Sequence, residues 1–196
     1  FSKKIEEELI HKNIDVAVHS LKDMPSEETL GLITNCFLKR NDPEEILITK
    51  ENKKFNELNS NAIIGTSSYR REFQLKRIRN DLNYKTIRGN IDTRLKKLDA
   101  GEYDAIVLAE AGLQALAIER TYTKVPIVPA VGQGIIALQT RKDDVKTNEV
   151  VSKVNHKLTS EHAKLERALL KGIGGDCETK VAAIATGSNP IKLEAV

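Results

Sequence analysis

The sequence predicts an α/β fold in which helices pack on sheets rich in parallel strands. Apolar strands alternate with amphipathic helices through the middle of the chain, which is the pattern of a parallel sheet covered by helices. Hydrophobic residues make up 40% and charged residues 30% of the 196 positions, as in a globular rather than a disordered protein. This length allows one or two ordinary domains, each with its own core.

The first 61 residues are predicted to hold one helix and three strands. Ser2 caps an amphipathic helix that ends near Asn13. Strands are expected over 14–18, 31–38 and 45–49, and a polar loop over 51–61. The Asn-Asp-Pro sequence at 41–43 breaks regular structure and is a good point for the chain to cross between domains.

A regular strand–helix alternation follows. Strand 62–65 leads into helix 68–79, strand 84–88 into helix 91–99, and strand 103–108 into helix 111–119. Beyond residue 125 we expect a strand over 135–140, helices near 143–155 and 160–172, and two final strands. The glycines of Gly132-Gln133-Gly134 suit a hinge or a cleft in which the backbone closely approaches a ligand.

Polar side chains directly follow the first predicted strand. The run contains His19, Ser20, Lys22 and Asp23, and Pro25 terminates it. Side chains at the mouth of such a strand face the crevice where open α/β sheets bind ligands. A carboxylate beside an ammonium group can act there on protons or on a transient cation. The alternative is an ordinary polar turn, since turns favour Ser, Asp and Pro. We expect His19 to hydrogen-bond to the turn.

A second polar run joins the next strand of the alternation to its helix. Thr66, Ser67 and Ser68 place hydroxyl groups beside the free amides of a helix N-terminus, an anion site worth about 0.3–1 kcal/mol from the dipole alone. Arg70 and Arg71 follow in the first helical turn, where cations oppose that dipole. A bound dianion or several carboxylates would explain both arginines. The alternative is that they pair with nearby acidic residues or face water.

The same arrangement recurs one strand later. Arg88 is predicted to end its strand, Asn90 to cap the following helix, and Arg94 to lie one turn inside that helix. Because parallel strands end at one sheet edge, both turns open there and four guanidinium groups can converge. The guanidinium fork binds a carboxylate through two hydrogen bonds, which favours a ligand with several carboxylates.

Bulk properties exclude several classes of function. The net charge of +3 is too small to indicate nucleic-acid binding, and no apolar run approaches the ~18 residues that a membrane span needs. Two cysteines do not form a disulfide framework, so a reducing cytoplasm is expected. Neither cysteine has the spacing of a redox or zinc motif, and we predict no metal site.

The two cysteines differ in context. Cys36 lies in a strand-like apolar run and is predicted to be a small core residue. Cys177 follows Gly174, Gly175 and Asp176, and the paired glycines leave its thiol accessible to bulky chemistry. The alternative for Cys177 is an inert cysteine in a turn.

Taken together, four runs of the chain resemble the porphobilinogen deaminase family, whose members are also called hydroxymethylbilane synthases. The runs are AVHSLKDMP (17–25), IIGTSSYRREFQL (63–75), IRGNIDTRLKKLDAGEYDAIVLAEAGL (87–113) and PAVGQGIIALQTR (129–141). They occur in the order found in the family and cover most of the chain.

The resemblance implies three domains. The first two are similar to the two lobes of periplasmic solute-binding proteins, and the third is a small α+β domain. Residues 1–42 and 133–157 would form an incomplete first domain, 43–132 the second, and 158–196 an incomplete third. We expect a fragment that lacks the start of domain one and the end of domain three, since the chain opens on Phe1 without a methionine.

The resemblance also implies an enzyme. Family members are transferases that join four porphobilinogen molecules, with loss of ammonia, into hydroxymethylbilane for haem and other tetrapyrroles. The product grows on a dipyrromethane cofactor held by a thioether, and Cys177 matches the attachment residue. Asp23 matches the catalytic aspartate, which stabilises the cation formed as ammonia leaves. The positions that grip the carboxylates of cofactor and substrate are matched by Ser20, Lys22, Thr66, Ser68, Arg70, Arg71, Arg88 and Arg94.

The sequence departs from the family pattern in three places. Asp176 interrupts the usual Gly-Gly-Cys, and Lys180 stands where proline is common. Gln114 and Ala115 replace a basic pair. We therefore expect one carboxylate contact to be lost or to be supplied from elsewhere.

The sequence alone leaves two other functions open. A two-lobed binding module for a carboxylated or phosphorylated small molecule would use the same arginines without chemistry and would leave Cys177 unmodified. A nucleic-acid binder would need aromatic stacking platforms among its basic residues, and Tyr69 and Tyr84 are a thin supply. We expect porphobilinogen as the partner, with no nucleic acid and no membrane, and a cytoplasmic monomer.

Overall fold

The computed structural model describes residues 2–175 and 180–196, which fall into two compact units. Unit 1 comprises Phe1–Asn41 and Ala130–Val196, and unit 2 comprises Asp42–Pro129. In each unit helices pack on β-sheet, so the predicted α/β class is confirmed. Within the described ranges, no helix is both long enough and apolar enough to cross a bilayer.

Helices and strands alternate along most of the described chain. The helices are α1 (Ser2–Ile10), α2 (Tyr69–Ile78), α3 (Ile91–Asp99), α4 (Glu110–Ala115), α5 (Val145–Ser152) and α6 (Lys157–Gly172). The strands are β1 (Ala17–Ser20), β2 (Leu32–Phe37), β3 (Glu45–Thr49), β4 (Ile63–Gly65), β5 (Asn83–Lys85), β6 (Ala105–Ala109), β7 (Thr123–Lys124), β8 (Ile136–Arg141), β9 (Ala183–Thr186) and β10 (Lys192–Ala195). Short 3-10 turns cover Leu21–Asp23 and Phe55–Glu57.

Unit 2 is built on a five-stranded sheet in the order β5-β4-β6-β3-β7. Strand β4 pairs in parallel with β5 and β6, as the strand–helix alternation predicts. Strand β3 runs antiparallel to both β6 and β7, which makes the sheet mixed. The carboxyl ends of β4, β5 and β6 therefore share one sheet edge, and α2, α3 and α4 follow from that edge.

Apolar side chains cover both faces of this sheet. Leu47 of β3 packs with Leu75 of α2 in one cluster, whereas Ile46 and Ile48 pack with Leu98 of α3 in a second cluster. Burial on both faces explains why β3 is almost continuously apolar rather than alternating.

Unit 1 holds a three-stranded antiparallel sheet, β1-β8-β2, and a hairpin of β9 and β10. Leu9 joins α1 to the sheet through a cluster that includes Ala17. Phe37 of β2 packs in the same cluster as Ala163 of α6. Helix α6 also contributes Leu170 to a cluster with β9, so this one helix packs against both sheets.

Two predicted strands are displaced. Strand β1 covers Ala17–Ser20 rather than 14–18, because these four residues pair with Ile136–Gln139 of β8. His19 and Ser20 therefore belong to the strand and not to the turn. Strand β5 covers Asn83–Lys85 rather than 84–88, because β4 offers only three residues as partners. Arg88 consequently lies beyond the strand, and the prediction that it ends the strand is wrong.

Two helices end earlier than predicted. Helix α1 stops at Ile10 rather than near Asn13, and α4 stops at Ala115 rather than at residue 119. Two residues after each end, Lys12 has a φ of 61° and Ala117 a φ of 50°. This left-handed conformation cannot continue a right-handed helix.

Candidate functional site

The first candidate region is the aspartate turn, residues 20–26, which follows β1. The backbone N–H of Leu21 donates to Ile135 O over 2.9 Å, and that of Met24 donates to Leu21 O over 3.1 Å. Leu21 and Met24 are buried, whereas Asp23 is exposed and Lys22 is half-buried. Apolar anchors on both sides thus hold a short rigid turn that presents Asp23 outward.

Two neighbouring groups support the aspartate turn from within unit 1. Nη2 of Arg167 in α6 donates to Pro25 O over 2.8 Å and to Ser26 O over 3.2 Å. Gly132 has a φ of 72° and packs on Leu21 so closely that a Cβ atom there would lie 2.7 Å from Leu21 Cγ. Any side chain at position 132 would therefore push on the residue that anchors the turn.

His19 is buried and bonds to a neighbouring strand. Its Nε2 lies 3.0 Å from Oε1 of Gln139 in β8, and Gln139 Nε2 donates to Glu6 over 2.9 Å. An amide oxygen accepts, so Nε2 of His19 carries the proton in this pair. The predicted hydrogen bond from His19 to the turn is wrong, because β1 extends far enough to direct this ring toward β8.

The second candidate region is the shared sheet edge of unit 2, where α2 and α3 begin. Ser68 caps α2 by accepting from the Arg71 N–H over 3.4 Å, and Asn90 caps α3 by accepting from the Thr93 N–H over 2.9 Å. The predicted cap at Asn90 is confirmed. The hydroxyl of Ser67 donates to Ile87 O over 2.5 Å and so ties the two turns together.

The hydroxyl and amide groups at the start of α2 largely bond to one another. Thr66 Oγ1 accepts from the Ser68 N–H over 3.1 Å, and the Arg71 N–H bonds to the Ser68 hydroxyl. The prediction that the amides of this helix N-terminus are free for an anion is wrong at Ser68 and Arg71, because side-chain caps satisfy them. A carboxylate-binding role for Thr66 and Ser68 stays a prediction.

Arg70 is buried in unit 2 against one acid and one carbonyl. Its Nη2 lies 2.5 Å from Glu45 Oε1, and its Nη1 donates to Val128 O over 2.7 Å. Gln74, one turn later on α2, bonds to both backbone groups of Val128. The buried side of α2 is thereby fixed to the segment that follows β7.

Arg71 shares the same acid. Its Nη2 lies 2.8 Å from Glu45 Oε2, and its Nη1 donates to Val107 O of β6 over 2.9 Å. Its Nε is buried and has no hydrogen-bond partner among the described residues. Both arginines thus pair with an acidic residue, as the alternative predicted, but this acid is fully buried.

Glu45, the buried acid between the two arginines, is a candidate site residue that the sequence pattern did not predict. Burial would raise the pKa of Glu45, but the charges of Arg71 and Arg70 and their hydrogen bonds outweigh it and hold that pKa below its usual 4.5. A sequence signal was present: an acid that opens a strand buried on both faces has no water to solvate it and needs a partner. Alternation along β3 places Glu45 on the same face as Leu47, toward α2.

Arg94 and Arg88 complete the set of predicted arginines. Arg94 is half-buried and its Nε donates to Gly89 O over 2.8 Å, whereas Arg88 is exposed. Burial lowers the pKa of Arg94, and the positive charge of Arg71 lowers it further. We call Arg70, Arg71, Arg94 and Glu45 the arginine cluster. Its three cations and one anion leave a formal charge of about +2, which a ligand with two carboxylates would neutralise.

The predicted hinge residues lie beside a second buried acid. Glu166 of α6 accepts from the Gly132 N–H and from the Ala185 N–H, each over 2.7 Å. It also pairs with Arg40 over 2.5 Å, and Arg40 Nε donates to Gln133 O over 2.8 Å. Glu166 and Arg40 together therefore connect the segment Gly132–Gly134 with α6, with β9 and with the residues that follow β2. A hinge role for it stays a prediction.

The remaining predicted positions have separate outcomes. Cys36 is buried, its Sγ donates to Val151 O, and burial raises the pKa of its thiol, so its assignment to the core is confirmed. Gln114 is exposed and donates to Glu110 over 3.2 Å. Cys177 lies outside the described residues. In the described ranges, no cluster of His, Cys, Asp and Glu could hold a metal ion.

The described cavity of unit 2, about 440 Å³, lies at the opposite edge of the sheet. It is lined by residues that follow β3, such as Lys50, and by residues that precede β4 and β6, such as Asn61 and Asp104. None of the predicted site residues lines it. The arginine cluster is thus recognised by its charge and contacts and not by cavity volume.

Comparison with models of known protein families shows to which family the chain belongs. Residues 1–149 match the family model described as "Porphobilinogen deaminase, dipyromethane cofactor binding domain". The chain belongs to the porphobilinogen deaminase family. The resemblance drawn from the four sequence runs is therefore confirmed.

Curated porphobilinogen deaminases from several bacteria are similar to this chain along nearly all of its length. The protein of Chlorobium luteolum is 44% identical over 193 residues, which cover 96% of this chain and 62% of the relative. That of Rickettsia prowazekii is 43% identical, covering 94% and 64%, and that of Bacillus cereus is 44% identical, covering 95% and 62%. The chain thus spans a little over three-fifths of the length of these relatives.

Solved structures support the two-lobed fold class. The second substrate binding domain of a putative amino acid ABC transporter from Streptococcus pneumoniae has a TM-score of 0.50 and 15% identity, over 89% of this chain and 74% of that one. The LysR family transcriptional regulator CbnR also has a TM-score of 0.50, with 13% identity, over 79% and 57%. At these identities the likeness concerns the fold alone, and the predicted resemblance to periplasmic binding proteins is confirmed.

Proposed function

We propose that the protein to which this chain belongs is a porphobilinogen deaminase, a transferase that joins four porphobilinogen molecules, with loss of ammonia, into hydroxymethylbilane. Family membership supports the reaction class. The observation that carries the assignment to this chain is the arginine cluster, which concentrates positive charge at the edge of the unit 2 sheet where α2 and α3 begin.

The ligand chemistry fits that charge. Each porphobilinogen carries an acetate and a propionate, so a bound pyrrole brings two carboxylates. The arginine cluster has a formal charge of about +2, and the buried Nε of Arg71 has no partner within the described chain. A carboxylate oxygen would satisfy that donor in the bidentate manner that guanidinium groups favour. Arg88, exposed at the same edge, is available for a further carboxylate.

We assign dipyrromethane as the cofactor, attached through the thiol of Cys177. When bound, it supplies the pyrrole carbon to which substrate units are joined. A dipyrromethane carries four carboxylates, and the arginine cluster, with Thr66 and Ser68, would hold two of them. The environment of Cys36 supports this choice of cysteine, because the buried thiol of Cys36 bonds to Val151 O and burial raises its pKa.

We assign the proton and charge chemistry to the aspartate turn. The exposed carboxylate of Asp23 would accept hydrogen bonds from pyrrole N–H groups and offset the positive charge that develops as ammonia leaves. Its turn is rigid, because Leu21 and Met24 are buried beside it, so little reorganisation is needed when charge appears. Lys22 and Ser20 would bind substrate carboxylates.

The test uses full-length protein produced in cells that make porphobilinogen. We expect the intact mass to exceed the sequence mass by one dipyrromethane, and peptide mapping to place the adduct on Cys177. The Cys177→Ser variant should carry no adduct and form no hydroxymethylbilane. The matched Cys36→Ser variant should carry the adduct and form hydroxymethylbilane. A wild-type protein of unmodified mass that binds dicarboxylates without turnover would instead identify a binding module.

We further propose that the enzyme acts as a monomer in the cytoplasm, without nucleic acid or membrane as a partner. The use of only two cysteines, one of them assigned to the cofactor, supports a reducing compartment. Sedimentation of the full-length protein tests the monomer, and a mass of two chains would contradict it.

A further inference from the structure

Two arginines follow one another at the start of α2. How the folded protein compensates their two positive charges when no ligand is bound needs an explanation. Residues 70 and 71 are each more than nine-tenths buried, and cations in the first turn of a helix oppose its dipole. Burial of an uncompensated charge is costly, so most such groups pair with an opposite charge. One acid is placed to compensate both, and it is Glu45.

The position of Glu45 is fixed by the sheet and not by its side chain. Glu45 pairs with Ala109 of β6, and its carbonyl accepts from the Val125 N–H on the other side over 2.9 Å. Its carboxylate therefore projects from a strand held on both sides. Its two oxygens take one guanidinium each, with Arg70 at 2.5 Å from Oε1 and Arg71 at 2.8 Å from Oε2.

The second anchor of each guanidinium is a backbone carbonyl. Arg70 donates to Val128 O and Arg71 to Val107 O, on different segments of unit 2. Side chains of consecutive helical residues point about 100° apart, as expected for 3.6 residues per turn. The shared carboxylate is what brings the two diverging side chains to one place.

We propose that Glu45 is a positioning residue, whose carboxylate holds the guanidinium groups of Arg70 and Arg71 as a preassembled pair for a dicarboxylate ligand. It binds no ligand itself. One negative charge against two leaves the pair cationic, and Arg94 adds a third positive charge with no acidic partner in the described chain. The inference rests on the proposed function for the identity of the ligand but not for the preassembly.

The experiment compares Glu45→Gln and Glu45→Asp with Glu72→Gln in the full-length protein. Glu72 lies on the same helix and pairs with Lys76 in an exposed i,i+4 ion pair, so it is a matched control for loss of one charge. In chloride buffer we expect Glu45→Gln to lower Tm by about 6 °C or more, because two buried cations lose their acid. Glu72→Gln should leave Tm nearly unchanged.

Sulfate is the probe for preassembly, at an ionic strength matched with chloride. A dianion that replaces the missing acid binds only the folded state, so sulfate should raise the Tm of Glu45→Gln more than that of wild type or Glu72→Gln. An equal sulfate effect in all three proteins would overturn the proposal. This readout needs neither cofactor nor substrate, so it stands if the proposed function fails.

The kinetic readout separates positioning from a purely structural role. Glu45→Asp keeps the charge but shortens the reach by one methylene, and we expect it to fold with KM for porphobilinogen raised about 10- to 100-fold and kcat changed much less. If Glu45→Gln fails to fold, the KM of Glu45→Asp still tests the positioning role. A folded Glu45→Asp enzyme with the KM of wild type would show that the acid only stabilises unit 2.

Discussion

In unit 1 the side chain of Asp23 is exposed and the residues on either side of it anchor the turn, whereas in unit 2 the guanidinium groups of Arg70 and Arg71 are themselves the anchors. The aspartate turn can lose the carboxylate of Asp23 without losing a contact that anchors the turn. The arginine cluster cannot, because the guanidinium groups of Arg70 and Arg71 each bond to the buried Glu45 and to a backbone carbonyl.

The contrast has a physical origin in the number of donors. A guanidinium has five N–H groups, so it can bond to the protein with some and keep others for a ligand. A carboxylate used in the interior needs several donors to offset its desolvation, as Glu45 and Glu166 show. A carboxylate meant for a ligand is therefore best left exposed on a rigid turn.

The largest effect on stability is expected at Glu166, a fully buried acid of unit 1. This residue tests whether the stability that an ion pair contributes depends on its burial or on the unit in which it lies. Glu166→Gln should lower the free energy of unfolding by about 3–5 kcal/mol, because it leaves the guanidinium of Arg40, whose side chain is only 10% exposed, without its acid. Denaturant titration measures this loss. The control is Glu27→Gln, which breaks the exposed pair with Lys171 and should cost less than about 0.5 kcal/mol. Equal losses in the two variants would contradict the role assigned to burial.

The next effect concerns rate and not stability. Asp23→Asn should lower kcat of the full-length enzyme about 10²- to 10³-fold, because an amide keeps the shape but cannot offset a developing cation. The free energy of unfolding should stay unchanged, since Asp23 is exposed and lies outside the contacts that anchor its turn. Near-normal turnover would remove Asp23 from its assigned role, and a large loss of stability would show that the Asp23 side chain itself helps to hold the fold.

Much of this organisation could be predicted from the sequence, and the failures share a cause. Strand β3 and helix α3 were predicted to the residue, because apolar runs and the Asn90 cap are local signals. The displaced strands β1 and β5 were not, since their ends depend on partners distant in sequence. The bonds from Arg70 and Arg71 to Glu45 were missed for the same reason, because the acid lies some 25 residues before the helix.

A smaller effect is expected where two of the unit 1 glycines with positive φ, Gly132 and Gly31, are compared. Gly132→Ala and Gly31→Ala both place Cβ on a left-handed residue, with φ of 72° and 85°. Open space surrounds Gly31, but at Gly132 the new Cβ would lie 2.7 Å from Leu21 Cγ. Gly132→Ala should therefore cost about 1–3 kcal/mol more in unfolding free energy, measured by urea titration.

The same pair tests how the aspartate turn is supported. Because Leu21 anchors the turn that carries Asp23, Gly132→Ala should also lower kcat, whereas Gly31→Ala should not. Equal stability costs with equal activities would show that Leu21 yields without moving Asp23, and would contradict the rigidity inferred for the turn.

The smallest effect is the pH dependence of stability that Glu45 contributes. It is absent at neutral pH and appears only below the usual pKa of a glutamate. The pKa of Glu45 is lowered in the folded protein, so its charge stabilises the fold fully above about pH 4.5, where both folded and unfolded states are ionised. As pH falls below 4.5 the unfolded state binds the proton first, and this stabilisation is lost progressively until pH passes the folded pKa. Unfolding free energies of wild type and Glu45→Gln should therefore differ by a constant amount from pH 7 to 5 and converge at lower pH. Two curves that stay parallel down to pH 3 would mean that Glu45 is not held ionised by Arg70 and Arg71.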